Sequence, residues 1–326
     1  MKNTDAYLSK EVISMLQRQH YALFGHSATK LCHYLKTSLK ESDVCYKQKF
    51  YGINSHRCLQ MTPTSSFCDQ KCTYCWRPIT LKEKKLNSFD NPEEIIKKAL
   101  EEQKQLLSGF GSLVKQGLTS KKKLQEAMQP MHAAISLSGE PTLYKKLPEL
   151  IRGFHKRKIS TFLVTNALHP EMLKSLLEKK AKPTQLYLSI DTGVEEIHKK
   201  LNKPMLKDSW KRIQKSLGLL KKFPRTCIRV TLVKGTNDNH EKELAELIEK
   251  AKPSFVEIKA YMFVGYSRQR LKQENMPLHS EVKAFARKVL KHLKHYKIAD
   301  EDKLSRVILL WNRKTKLKIE FEKNKW

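Results

Sequence analysis

From about residue 133 the chain alternates short apolar runs with amphipathic stretches, and this alternation restricts its fold more than any other feature. The runs are Ala133–Leu137, Thr161–Thr165, Gln185–Ile190, Ile228–Val233, Phe255–Tyr261 and Val307–Trp311. Between them Leu147, Leu150, Ile151 and Phe154, then Met172, Leu173, Leu176 and Leu177, recur at steps of three and four residues. Trp210, Ile213, Leu217 and Leu220, and then Leu244, Leu247, Ile248 and Ala251, do the same. That is the period of a helix with one buried face. Strand and helix taken in turn imply a parallel sheet with right-handed crossovers, and a further strand around His56–Met61 comes first. At Asn91-Pro92-Glu93-Glu94 an Asn cap, a Pro at the first helical position and two acids mark a helix start.

This reading divides the chain into a helical N-terminal segment, 1–55, with Val12, Ile13 and Leu16 on one face, an α/β core, 56–265, and a basic C-terminal extension, 266–326. The extension carries a helix along Val282, Phe285, Val289, Leu290 and Leu293. After Leu107 the periodicity breaks and Lys115–Lys123 is basic and polar, so Ser108–Gln129 reads as an insertion or loop near a face suited to a polyanion.

At 326 residues and 40% hydrophobic, the chain can bury one large core or two modest ones. No stretch approaches the ~18 apolar residues of a membrane span, and Met1-Lys2 opens no apolar leader, so a cytoplasmic location is expected. Sixty-four Lys and Arg against 33 Asp and Glu leave a net charge of +31. The surplus is spread over Lys82–Lys85, Lys121–Lys123, Lys156–Lys158, Lys221–Lys222, Arg268–Arg270 and Arg313–Lys323. Charge so large and so distributed suits a polyanion, with nucleic acid favoured over the general basicity of a lysine-rich proteome.

Six of the seven cysteines fall between Cys32 and Cys75, and three form Cys68-Asp69-Gln70-Lys71-Cys72-Thr73-Tyr74-Cys75. Three thiolates at C-x3-C-x2-C spacing can hold three irons of a cubane [4Fe–4S] cluster and leave the fourth open to a substrate. Structural zinc prefers four ligands in two pairs, and one C-x2-C pair is present; zinc stays as the alternative. The triplet follows the strand at His56–Met61, in a loop after a strand's carboxyl end, where α/β folds build their sites. Ser138-Gly139-Glu140-Pro141 follows the next strand. There Gly139 permits close backbone approach, exposed amides can accept a carboxylate, and Glu140 offers an acceptor to an ammonium. Tyr74 is placed to pack beside a cofactor above the cluster.

Cys68–Cys75 with Tyr74, followed by Ser138–Pro141, resembles the radical S-adenosylmethionine (SAM) enzymes. That resemblance implies a partial TIM-type (β/α)6 barrel in which SAM chelates the open iron through its amino and carboxylate groups. Reductive cleavage would then give methionine and a 5′-deoxyadenosyl radical. Position by position, Glu140 would hold the SAM ammonium, with Asn166, Ser189 and Asp191 near its ribose and carboxylate.

Cys32, Cys45 and Cys58 are spaced C-x12-C-x12-C, and on spacing alone three unrelated buried thiols remain open. Longer stretches extend the resemblance to the tRNA wyosine-base synthases: CYKQKFYGI at 45–53, LLSGFG at 106–111, HAAISLSGEP at 132–141, AYMFVGYSR at 260–268 and MPLH at 276–279. The likeness covers roughly residues 25 to 312. It implies a second [4Fe–4S] cluster on Cys32, Cys45 and Cys58. It also implies conversion of N1-methylguanosine at position 37 of phenylalanine tRNA, with pyruvate, into the tricyclic 4-demethylwyosine. The radical would take a hydrogen from the N1-methyl group, and the methylene radical would add to the pyruvate carbonyl carbon. The pyruvate carboxyl carbon then leaves and the ring closes on the exocyclic amine. Eukaryotic members carry a flavodoxin-like domain ahead of the core, and no room for one is seen here. A short archaeal-type monomer with an external protein electron donor is therefore expected, its C-terminal extension capping the barrel and binding tRNA.

A lysine desolvated among cations can form a Schiff base with a keto acid. Lys47 and Lys49 flank the expected Cys45 ligand, and the resemblance favours Lys47. Trp76 could stack on a nucleobase or seal the barrel mouth; Cys227, His56 and His132 read as structural. Two rivals stand: an RNA-methylthiolating radical SAM enzyme, whose cysteine trio is spaced more widely, and a zinc-stabilised RNA-binding protein without catalysis.

Overall fold

The computed structural model describes residues 2–79 and 86–321. The expected basic cluster Lys82–Lys85 lies outside the described residues. Ten strands make one sheet: β1 Ala22–Phe24, β2 Ser27–Thr29, β3 Cys58–Thr62, β4 His132–Ile135, β5 Ser160–Thr165, β6 Gln185–Ser189, β7 Thr226–Leu232, β8 Phe255–Ala260, β9 Lys297–Asp302 and β10 Val307–Trp311. Their order is β1-β2-β3-β4-β5-β6-β7-β8-β10-β9. The six strands β3 to β8 are parallel neighbours in chain order. An antiparallel hairpin extends the β3 edge and another the β8 edge.

The helices are α1 Lys10–Arg18, α2 His33–Leu39, α3 Tyr46–Tyr51, α4 Pro92–Ser108, α5 Gly111–Lys115, α6 Lys121–Ala127, α7 Leu147–Lys156, α8 Pro170–Glu178, α9 Glu195–Asn202, α10 Ser209–Leu219, α11 Glu241–Ala251 and α12 His279–Lys291. Asn91 caps α4 as its sequence suggests, its side chain accepting from the Glu93 amide with Pro92 at the first position. No described helix is long and apolar enough to cross a membrane.

Alternation along each strand separates two cores. Leu59, Met61, Ala133, Ile135, Leu163, Leu186, Leu188, Ile228, Val230, Val256 and Ile258 meet the outer helices. On the other face Phe162, Tyr187, Cys227, Phe255 and Leu309, from five neighbouring strands, converge on Tyr46, Phe50 and Tyr51 of α3, on Ile53 and on Ile319. Side chains of successive strands thus meet in one inner cluster on the face away from the outer helices. Each buried Phe or Leu of these clusters contributes about 1.5–3 kcal/mol of burial. The C-terminal tail helps to plug the interior: the Ile319 amide donates to the Tyr51 carbonyl at 3.0 Å. Arg225, just ahead of β7, donates to the carbonyls of Lys316 and Leu317. The site therefore opens at the carboxyl ends of the strands.

Three expectations change. The N-terminal segment is not helical throughout, because Ala22–Thr29 is a β-hairpin added to the sheet. Ser108–Gln129 is not a loop. It folds as α5 and α6, whose Leu124 and Ala127 pack with Leu107 against Leu31, Leu35 and Leu39 and so brace the segment carrying Cys32. The C-terminal extension contributes β9 and β10 as well as α12.

Candidate active site

The loop from Thr62 to Arg77 is fixed from three sides. From the α9 end, the Lys71 amide donates to Asn202 O and the Thr73 amide to Leu201 O at 2.8 Å. From the C-terminal side Arg270 donates to the carbonyls of Thr73, Cys75 and Arg77. Gly265, at φ +57°, lets that segment approach so closely that a Cβ would stand 2.5 Å from the Trp76 carbonyl oxygen. On the third side lies Ser138–Glu140. Gly139 has φ +74°, and a Cβ there would fall 1.8 Å from Thr64 O and 2.7 Å from Phe67 O. The Glu140 amide donates to Phe67 O at 2.7 Å and Thr62 Oγ1 to Ser138 O at 2.5 Å. The glycine is thus required by contact between the two motifs.

These elements wall one cleft, lined by Cys68, Cys72, Tyr74, Cys75, Trp76, Arg77, Ser138, Gly139, Glu140, Val164, Asn166, Ser189, Arg229 and Thr231 among others. Burial pushes the Cys68 thiol up to about 12 and the Cys72 thiol higher still, with the neighbouring cysteines adding to the Cys72 shift. Thiols so desolvated ionise only against a strong positive charge, and three soft sulfur donors in one cleft fit a [4Fe–4S] cluster. Among the described residues no three His, Cys, Asp or Glu side chains gather around a single metal-ion position. A cubane, whose ligands take separate irons, does not need them to.

Glu140 is 2% exposed. Its Oε1 accepts from the Thr142 amide and from the hydroxyls of Thr142 and Thr165, and its Oε2 from the Asn166 amide at 2.7 Å. Burial, with Asp69 near, raises its pKa while these donors oppose the rise. Oε2, with one donor, keeps acceptor capacity toward the cleft. Asn166 donates to Asp69 Oδ1 at 2.6 Å, and Asp69 Oδ2 pairs with His169 at 2.7 Å. Burial opposes the His169 cation, but the Asp69 hydrogen bond and charge raise its pKa to about 9. Ser189 lines the cleft.

Asp191 behaves differently from the expectation. It is 2% exposed and does not line the cleft. Its Oδ2 accepts from Tyr74 Oη at 2.7 Å and Asn202 Nδ2 at 2.8 Å, and its Oδ1 from the Thr231 amide at 2.7 Å. It ties Tyr74 and Asn202 to the Thr231 amide of β7. Asn202, which no sequence signal marked, completes this network 3.6 Å from Cys72 Sγ.

The second trio comes from three elements. Cys32 stands at the N-cap position of α2, Cys45 at that of α3, and Cys58 opens β3. Burial pushes Cys45 up to about 12, with Cys32 adding to the shift; Cys58 is raised by burial and by both Cys32 and Cys45. The three sulfurs are therefore electrostatic neighbours, and Lys47 acts on both Cys45 and Cys58.

Two family models cover most of the chain: "Radical SAM superfamily" over residues 62–248 and "Wyosine base formation" over 250–312. The S-adenosyl-L-methionine-dependent tRNA 4-demethylwyosine synthase of Pyrococcus abyssi is 48% identical over 307 residues, covering 93% of this chain and 89% of that one. The Methanocaldococcus jannaschii synthase is 40% identical over 95% of this chain and 98% of its own. The chain belongs to the tRNA 4-demethylwyosine synthases. The human member, 35% identical, matches 96% of this chain within 42% of its own length. Among solved structures, archaeal TYW1 superposes with a TM-score of 0.80 at 35% identity, over 96% of this chain and 100% of that one. TYW1 with a lysine-pyruvate adduct bound does so with a TM-score of 0.86 at 38% identity, over 96% and 99%.

With a radical SAM synthase established, the two candidate lysines can be told apart. Lys49 is paired with the nearly buried Asp302 and stands 3.8 Å from Asp43. The Asp302 hydrogen bond raises its pKa and holds it as a cation. Lys47 is 9% exposed, with Nζ 4.5 Å from the Tyr187 ring centre and 5.4 Å from that of Phe162. It has no ion-pair partner among the described residues. Tyr187 and Phe162 share strand faces with Ser189 and Val164 of the cleft, two residues further along, a step of ~7 Å. Lys259 of β8 also belongs to this interior: burial, with Arg229 near, pushes it down to about 8 while its amine donates to Ser305 O.

Proposed function

We propose that this synthase condenses N1-methylguanosine at position 37 of phenylalanine tRNA with pyruvate to give 4-demethylwyosine, with Lys47 as the pyruvate-binding amine. In this reading Cys68, Cys72 and Cys75 hold one [4Fe–4S] cluster and Cys32, Cys45 and Cys58 a second. The observation that carries it is the placement of both cysteine trios and the buried Lys47 around one barrel interior. A bound cluster and SAM would supply a carbon radical able to remove a hydrogen atom from the N1-methyl group. The chain's own residues do the rest of the positioning. Glu140 ties the ends of β4 and β5 to the cysteine loop and presents Oε2 to an ammonium. Asn166 and Ser189 line the wall a ribose or carboxylate would meet, and Tyr74, held by Asp191 and Asn202, shields the Cys72–Cys75 side.

Asp302 holds Lys49 as a cation, whereas Lys47 has aromatic rings around its amine and no ion-pair partner among the described residues. The protein with a lysine-pyruvate adduct bound that superposes on 96% of this chain supports a lysine as the pyruvate-binding group. The net charge of +31 suits a tRNA backbone held in a salt-sensitive way, and an anticodon-loop base is the kind that can be extruded into such a cleft. We further read the chain as a cytoplasmic monomer served by an external protein electron donor.

Borohydride treatment with pyruvate tests the lysine: wild type and Lys49→Ala should gain a reduced three-carbon adduct on residue 47, and Lys47→Ala should not. An adduct retained in Lys47→Ala would move the role elsewhere.

A further inference from the structure

Arg229 is a cation set among the inward-facing residues of the sheet. It lies mid-strand in the apolar β7 run Thr226–Leu232 and alternates with Cys227 and Thr231 on the inner face. Its side chain lines the cleft with Cys68, Cys72, Cys75 and Ser138–Glu140. The acid opposite it in the β7–β8 register is Glu257, 0% exposed, whose oxygens accept from Tyr51 at 2.8 Å and Tyr46 at 3.0 Å. Arg229 feels Glu257, Tyr46, Tyr187 and Cys227 electrostatically, yet no hydrogen bond or ion pair of its guanidinium occurs among the described residues. A half-buried guanidinium with free donors is costly unless something outside the chain accepts from it.

The position narrows what that acceptor is. Arg229 pairs in register with Ser189 on one side and Glu257 on the other, one inward position beyond Cys227. Cys227 is level with Tyr187, over whose ring the Lys47 amine sits. A guanidinium there is between the cluster loop and the lysine, and its planar fork matches a carboxylate with two parallel hydrogen bonds. The remaining charge agrees, since Lys47, Lys259 and Arg229 outnumber the acids that act on them, Glu257 and, beside Lys259, Asp302.

We propose that Arg229 is the carboxylate anchor of this cleft, binding the α-carboxylate of a small acid and thereby fixing its reactive carbon. Two carboxylates enter the reaction assigned above, that of the keto acid and that of the methionine portion of SAM. The proposal rests on that reading, and the experiment separates it from the assignment of Lys47.

Arg229→Met and Arg229→Lys are compared with wild type in two titrations, neither needing turnover. In the first, borohydride trapping is followed against concentration for pyruvate and for its uncharged methyl ester. In the second, binding is measured for SAM and for methylthioadenosine, which lacks the carboxylate. Arg229→Met is expected to raise the half-saturating concentration tenfold or more for pyruvate or for SAM, leaving the carboxylate-free probe within twofold. Whichever acid weakens is the one Arg229 holds. Arg229→Lys keeps the charge beside Glu257, covers the case in which the Met variant fails to fold, and should weaken the same acid by a smaller factor. Unchanged binding of both acids in a folded variant would overturn the proposal. So would equal weakening of acid and carboxylate-free probe. An absent adduct in wild type would instead remove the Lys47 assignment, and the SAM titration would then decide Arg229.

Discussion

Replacing Gly139 by Ala should cost more than any other single methyl group added near the cleft. The new Cβ would lie 1.8 Å from Thr64 O and 2.7 Å from Phe67 O, both backbone atoms that no side-chain rotation can move. The φ of +74° adds roughly 1–2 kcal/mol for a residue with a Cβ. Relieving the overlap means separating Ser138–Glu140 from the cysteine loop. That breaks the Glu140 amide bond to Phe67 O and the Thr62 bond to Ser138 O, each worth about 1 kcal/mol net. The sum is about 3–4 kcal/mol, or a fall in melting temperature of roughly 4–6 °C for a chain this long. Iron and sulfide measured alongside melting should show the Cys68–Cys72–Cys75 site losing occupancy while the other trio keeps its share. A Gly139→Ala protein with unchanged melting and full iron would refute the claim that the two motifs are in contact.

Four further outcomes are expected. Lys49→Gln strips Asp302 of its cation and should lower stability by about 1–3 kcal/mol in urea titration, yet leave pyruvate trapping on Lys47 within twofold. Burial pushes His155 and His198 each down to about 4, so the folded form favours the neutral ring. The unfolded chain binds these protons below about 6.5, so their contribution is complete above that pH and is lost as pH falls toward 4. Urea midpoints should therefore drop over that interval, less so in His155→Gln; flat midpoints would contradict the burial. Arg270→Met removes the donors to Thr73, Cys75 and Arg77, and the cluster's electron paramagnetic resonance should broaden or its iron fall, with the fold intact by circular dichroism. The affinity for tRNA should fall steeply with salt, log Kd against log salt giving a slope of several units.

The parallel core was legible because its strands are buried on both faces and so read as unbroken apolar runs; Val307–Trp311 matched in its bounds but pairs antiparallel with β8 instead of extending the parallel set. The hairpin Ala22–Thr29 has strands of three residues, too short to show a period, and β9 is a mostly polar edge strand with no alternation to find. The Ser108–Gln129 helices escaped because α5 has no buried residue and α6 two, Leu124 and Ala127.

At the site, Cys68–Cys75 and Ser138–Glu140 were visible because their spacing is local, whereas Cys32, Cys45 and Cys58 were grouped only by the resemblance of the stretches around them. The networks behind them are not local: Asp69 meets His169 and Asn166 across about a hundred positions, and Tyr74 meets Asp191 across 117. One signal was available and unused. Arg229, Glu257 and Lys259 are charges at alternate positions of otherwise apolar strands, where only a polar interior would keep them.

Iron, acid-labile sulfide and zinc per chain, measured on protein purified without oxygen, bear most directly on two cysteine trios serving one interior. About eight irons with matching sulfide are expected, falling to about four in Cys32→Ala and in Cys72→Ala alike. About four irons in wild type, unchanged in Cys32→Ala, would contradict a second cluster at Cys32, Cys45 and Cys58, and zinc in place of iron would contradict both.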